Sequence, residues 1–185
     1  KFGPDGALYV GTAAASLRAA DDLGSYEGKL LRFNADGTTP EGNPLRHSPI
    51  VSAGHHSRLD FDWDPADGRL WLVDTDREGA SLRRPDAALP LNGLTVTSAV
   101  FHTPPAPSAW RGSLFLAIPG QECIVRVSGF DRWPARPAVE RLFPGVPGRI
   151  VALLSATDGL FFATDDGARD EAGGPTGAVY RVRAQ

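Results

Sequence analysis

Arg58-Leu59-Asp60-Phe61-Asp62-Trp63-Asp64-Pro65-Ala66-Asp67-Gly68-Arg69-Leu70-Trp71-Leu72-Val73 decides how this chain folds. Leu59, Phe61 and Trp63 alternate with Asp60 and Asp62, the period of a strand with one buried face. Asp67-Gly68 tolerates the positive φ angles of a tight turn, and a second apolar run follows. The unit is a β-hairpin.

The same turn and strand recur on both sides of it: Gly3-Pro4-Asp5-Gly6-Ala7-Leu8-Tyr9-Val10, Ser108-Ala109-Trp110-Arg111-Gly112-Ser113-Leu114-Phe115-Leu116 and Ala156-Thr157-Asp158-Gly159-Leu160-Phe161-Phe162-Ala163. Glycines 6, 68, 112 and 159 are 62, 44 and 47 residues apart, intervals that suit one propeller blade each. A strand precedes three of these turns, at 58–63, 97–102 and 149–154. Only Lys1 and Phe2 precede the first, so the chain is expected to begin inside a blade. Third strands are expected at 28–34, 123–127 and 177–183, and the second unit offers only 80–83. Residues 13–22 read as a short helix or a loop. The fold class is therefore all-β, an incomplete β-propeller of four-stranded antiparallel blades, three to four of them, in one domain over residues 1–185. Closure as a small ring, pairing with a second chain and membership of a longer protein all remain open, and self-association through open blade edges is one expectation.

The chain of 185 residues can bury a sizeable core. A net charge of -3 leaves no electrostatic footprint for nucleic acid or an anionic membrane surface. The longest apolar stretches, such as Ile150 to Leu154, are strand-sized and far short of the ~18 residues of a membrane span. Cys123, the single cysteine, sits in an apolar run and is expected to be a buried, inert thiol. The chain holds no Met and begins with Lys, so Lys1 is expected to arise by processing or cleavage. No signal peptide is visible.

Several stretches resemble the glucose/sorbosone dehydrogenase family, which includes soluble PQQ-dependent aldose dehydrogenases. They are Phe2 to Tyr9, Asp22 to Gly37, Glu41-Gly42-Asn43-Pro44, Gly54-His55-His56-Ser57 with the following Asp62-Trp63-Asp64-Pro65, Ala109 to Phe115, and Gly148-Arg149-Ile150. The resemblance runs in order along nearly the whole chain. It implies a six-bladed propeller of which this chain supplies about the last four blades, the cofactors PQQ and calcium, a small-molecule sugar as substrate, and a periplasmic or secreted location. The family's catalytic base, a histidine of an early blade, has no counterpart here, so no catalytic residue is assigned.

Carried over by position, the cofactor-binding residues are His55, His56 and Arg149. An Arg-Asn pair of the family is replaced here by His56 and Ser57. A loop that supplies oxygens to calcium is replaced by Val73-Asp74-Thr75-Asp76-Arg77, without its Gly-Pro. A family lysine has no counterpart around 119–121. Arg149 matches the first of two arginines, and Val151 replaces the second. A calcium loop expected near Gly11-Thr12 is replaced by Ala13-Ala14-Ala15. A quinone with three carboxylates needs several cations in one pocket. The resemblance therefore implies a degenerate site, weak or inactive in this chain alone.

The residues themselves allow sharper and plainer readings. His55 and His56 are substrate- or metal-facing histidines, or loop histidines bonded to backbone. Adjacent side chains of an extended segment point apart, which makes a poor chelating pair. Asp74 and Asp76, with Glu78, alternate as candidate ligands of a hard cation, or are neutralised by Arg77 and Arg83. Asp165, Asp166 and Asp170 read as solvated. Asp60 and Asp62 are a channel-facing carboxylate pair or, as favoured here, the solvent-facing half of the alternation. Trp63, Trp71 and Trp110 are expected to pack between blades, and Trp133 is a further ring able to stack on a sugar. The competing functions are a non-catalytic propeller that binds a carbohydrate or protein partner, and a metal-dependent lactonase-like hydrolase.

Overall fold

The computed structural model describes residues 1–76, 78–84, 87–103, 109–130, 137–145, 148–165, 167 and 176–182. Arg77, Trp133, Asp166 and Asp170 lie outside them. Strands β1 (Leu8–Gly11), β2 (Lys29–Phe33) and β3 (Ile50–Ala53) form the first sheet, and a short helix, α1 (Leu17–Asp21), sits between β1 and β2. The second sheet is β4 (Arg58–Trp63), β5 (Leu70–Thr75), β6 (Gly79–Arg84) and β7 (Ala87–Asn92). The third is β8 (Ser98–Phe101), β9 (Leu114–Ile118), β10 (Cys123–Ser128) and β11 (Ala138–Leu142). The fourth is β12 (Arg149–Ala156), β13 (Gly159–Asp165) and β14 (Val179–Val182). Every sheet is an antiparallel meander in chain order, and β4, β8 and β12 are successive inner strands that touch one another. Phe2 bridges Leu8 in antiparallel fashion, so the first two residues occupy the inner-strand position of the first blade.

The repeat glycines behave as the hairpin reading requires. Gly6, Gly68, Gly112 and Gly159 all take positive φ, and a Cβ on Gly159 would lie 2.5 Å from the Val182 carbonyl oxygen. Sequence reasoning missed the outer strands β3, β7 and β11. β3 has only four residues, β11 is mostly exposed, and β7 carries Pro90, which an edge strand accommodates. The poor third strand of the second unit is a full six-residue strand, β6.

The core lies between blades. Trp71, Val73 and Leu82 of the second sheet meet Leu114, Leu116 and Ile118 of the third, while Phe115 and Ala117 face Ile150, Leu160 and Phe162 of the fourth. Strand β9 is buried on both faces, which is why its sequence is continuously apolar. Cys123 is buried in the first of these clusters. The tryptophans pack as expected, Trp63 edge-on against Tyr9, Trp71 against Phe130 and Trp110 against Phe115.

Asp60 and Asp62 are not the solvent-facing half of β4. Asp60 accepts the Ala99 N–H at 2.6 Å and Asp62 the Phe101 N–H at 2.7 Å. Among the described residues strand β8 pairs with β9 alone, so its other edge presents N–H groups at every second residue. Carboxylates at every second residue of β4 satisfy them. Burial pushes the Asp62 carboxyl up, partly offset by the Phe101 N–H. The next junction uses neutral groups. Ser98 Oγ accepts the Leu153 N–H, Thr97 Oγ1 donates to the Ile150 carbonyl, and His102 Nδ1 lies 3.0 Å from Ser155 Oγ. Burial lowers the pKa of His102. The unfolded chain then binds that proton more tightly, so stability is full above the ordinary value near 6.5 and falls as pH drops through the folded value. Thermal melts from about pH 8 to pH 5 are expected to show this loss. His102→Gln is expected to flatten it, and an unchanged acid limb in that variant would contradict the assignment.

Candidate functional site at one end of the blades

Each blade runs inner to outer strand in the same order, so the loops entering inner strands and those leaving second strands gather at one end. There the β1–β2 loop, the 54–57 loop and the β5–β6 hairpin surround a cavity of about 420 Å³ lined by Ala14, Ala15, Ser16, Leu17, His56, Ser57, Asp76 and Glu78. Lys29 holds the wall. Fully buried, its ammonium donates to the carbonyls of Ala19, Ala20 and Glu27 at 3.1, 2.6 and 2.6 Å. Thr12 Oγ1 accepts the Lys29 N–H and closes the same loop.

Of the five residues singled out from sequence, His55 and Asp74 meet, and the other three stand apart from that pair. His56 lines the cavity, with Nε2 3.9 Å from Asp21 Oδ1. His55 points elsewhere, into the junction of the first two sheets. It is 2% exposed, with Nδ1 3.1 Å from Asp74 Oδ2 and Nε2 3.0 Å from Ser52 Oγ. Asp74 is buried and also takes Arg83 Nη1 at 3.2 Å. Asp76 is exposed and closes the β5–β6 hairpin, accepting the N–H groups of Glu78 and Gly79. Arg149 is on the fourth sheet, paired with Asp165 at 3.1 Å. Among the described residues, no group of three or more His, Cys, Asp or Glu side chains is placed to hold a metal ion. Ser52 and Lys29 were missed as functional candidates. A serine at a strand end and a lysine in an apolar strand carry no signal until the tertiary contacts exist.

The four antiparallel sheets with touching inner strands define a β-propeller-type protein. Over its full length the chain superposes on a glucose dehydrogenase with TM-score 0.78 and 24% identity, covering 60% of that chain. Over 96% of its length it matches the PQQ-bound aldose sugar dehydrogenase of Streptomyces coelicolor, at TM-score 0.68 and 21% identity, covering 59% of that chain. The apo aldose sugar dehydrogenase of Escherichia coli gives 0.69 at 16% identity. An uncharacterised protein of Synechocystis is 32% identical over 65 residues, 16% of its own length. Residues 1–86 match the family described as Glucose / Sorbosone dehydrogenase. Residues 1–86 are therefore similar by sequence to the glucose/sorbosone dehydrogenase family, and the whole chain shares the fold of these sugar dehydrogenases. It spans about 60% of the length of the solved structures it matches.

The site residues do not fit a tricarboxylate quinone. Three described cations pair with carboxylates of the chain: Arg149 with Asp165, Arg83 with Asp74, and Lys1 with Asp60 at 3.0 Å. The cavity itself is faced by Asp76 and Glu78, which repel carboxylates.

Proposed function

We propose that this chain is a sugar-dehydrogenase-type propeller whose quinone site has degenerated, weak or inactive as an oxidoreductase by itself. The observation that carries this reading is the pairing of Lys1, Arg83 and Arg149 with carboxylates of the chain, together with an entrance cavity faced by Asp76 and Glu78. A charge-assisted hydrogen bond contributes roughly 1.5–3 kcal/mol. Loss of three, at about 2 kcal/mol each, weakens binding by about four orders of magnitude. Aldose oxidation with PQQ and calcium is the activity that the family and its PQQ-bound neighbour suggest for a whole protein, in the periplasmic or secreted setting the family implies. The test is dye-linked oxidation of aldoses with PQQ and calcium supplied. The expected result is no reduction above the cofactor-only control, and sustained turnover would overturn the reading.

A binding role is favoured by the cavity's lining. Ser16, Ser57 and His56 beside Asp76 and Glu78 offer hydroxyl, imidazole and carboxylate partners to an uncharged sugar. Self-association is a further part of the proposal. Phe2 and Val10 at one end of the arc, and Val151, Leu154 and Val179 at the other, are exposed apolar residues. Light scattering is expected to find dimers or larger species, and a compact monomer at high concentration would contradict this.

A further inference from the structure

A second cavity, of about 380 Å³, opens between the first two sheets, away from the entrance cavity. Ser52 and His55 are at its wall. Ser52 Oγ lies 3.0 Å from His55 Nε2, and His55 Nδ1 lies 3.1 Å from Asp74 Oδ2. With Nδ1–H donated to the carboxylate, Nε2 is left to accept the serine hydroxyl proton. That is the order hydroxyl, imidazole, buried carboxylate by which a serine is activated for acyl transfer, an arrangement that recurs on unrelated folds.

The three groups are held from different directions. Ser52 is opposite Leu30 in the β2–β3 pairing, and Asp74 is opposite Leu59 in the β4–β5 pairing. The His55 N–H donates to the Gly28 carbonyl at 3.1 Å. Gly28 has φ 62, and a Cβ there would lie 2.5 Å from the His55 carbonyl oxygen, so only glycine lets the β1–β2 loop approach this closely. Arg83 anchors Asp74 Oδ2 at 3.2 Å. A clasp between blades would need the same hydrogen bonds. It would not need them to end on a half-buried hydroxyl at an open cavity. Leu30, Val51, Leu70 and Leu72 give that cavity an apolar wall suited to a short acyl chain.

We propose that Ser52, His55 and Asp74 form an acyl-transfer site that hydrolyses short-chain carboxylic esters. Ser52 Oγ attacks the ester carbonyl carbon while His55 Nε2 takes its proton, and the carbonyl π pair moves onto oxygen. Collapse breaks the bond to the alcohol, which leaves with the proton from His55, and Ser52 is acylated. Water, deprotonated by His55 in the same way, releases the carboxylic acid and returns the proton to Ser52. Asp74 keeps the imidazole oriented throughout. Nothing is oxidised or reduced. This site is separate from the entrance cavity, so its fate does not bear on the dehydrogenase reading.

The experiment treats the whole chain with a fluorophosphonate reagent, locates the adduct by intact mass and peptide mapping, and follows p-nitrophenyl butyrate hydrolysis. One adduct per chain, on Ser52, is expected. Ser52→Ala should abolish labelling, and His55→Gln should slow hydrolysis by about 10³-fold, while Ser128→Ala labels normally. Labelling of the unmodified chain decides the matter even if a variant fails to fold. No adduct on Ser52, or hydrolysis unchanged in a folded Ser52→Ala chain, would overturn the proposal and leave the three residues as an inter-blade clasp.

Discussion

Lys29→Met is expected to destabilise the chain by about 3 kcal/mol or more, because methionine keeps the apolar stem and none of the donors. Lys29 is fully buried, and its ammonium satisfies the carbonyls of Ala19, Ala20 and Glu27. The first two belong to α1, whose last carbonyls have no partner inside the helix. The Ala20 carbonyl also accepts the Gly54 N–H at 3.0 Å, but the Lys29 contact is shorter. An unsatisfied buried acceptor costs roughly 1–3 kcal/mol, and the variant leaves two carbonyls, Ala19 and Glu27, without this donor while Ala20 loses its shorter contact. The expected readouts are a lower urea midpoint and earlier proteolysis within the β1–β2 loop. A change under about 1 kcal/mol would mean that water reaches these carbonyls in the variant.

Phe115→Ala is expected to lose about 3–5 kcal/mol. Phe115 is fully buried and stands where the third blade meets the fourth, with ring centroids 5.8 Å from His102 and 5.3 Å from Trp110. Its removal opens a cavity among Ile150, Leu160 and Phe162 that the paired strands cannot close by local movement. Phe115→Leu should recover most of the loss. If both variants melt like the parent, the fourth blade does not depend on this contact for its packing.

How far the sequence could be read followed from the range of each signal. The Asp-Gly turns and the alternation of 58–63 are local, and they located the first two or three strands of each blade, including the Phe2 bridge that begins the first. Outer strands such as β11 lie at blade edges, where side chains need not be apolar, so periodicity could not mark them. Asp60 and Asp62 were legible as one face of a strand, but what that face met depended on the open edge of β8, some 39 residues away. The same limit governed the site. The expectation that His55 and His56 face apart came from sequence adjacency alone, and the structure places them in two different cavities. The pairing of Arg149 with Asp165 across the β12–β13 hairpin, and of Asp74 with His55 between blades, needed the fold. These pairings consume the charges that resemblance alone would have offered to a cofactor.

The most direct test is a titration of the purified chain with PQQ in the presence of calcium, followed by absorbance and by thermal stability. A site that binds the folded state raises stability by a few kcal/mol at saturating ligand. With Lys1, Arg83 and Arg149 each engaged by a carboxylate of the chain, the account predicts no saturable spectral change and no shift in melting temperature up to about millimolar PQQ. Stoichiometric binding at micromolar concentration or tighter, with calcium-dependent stabilisation, would contradict it.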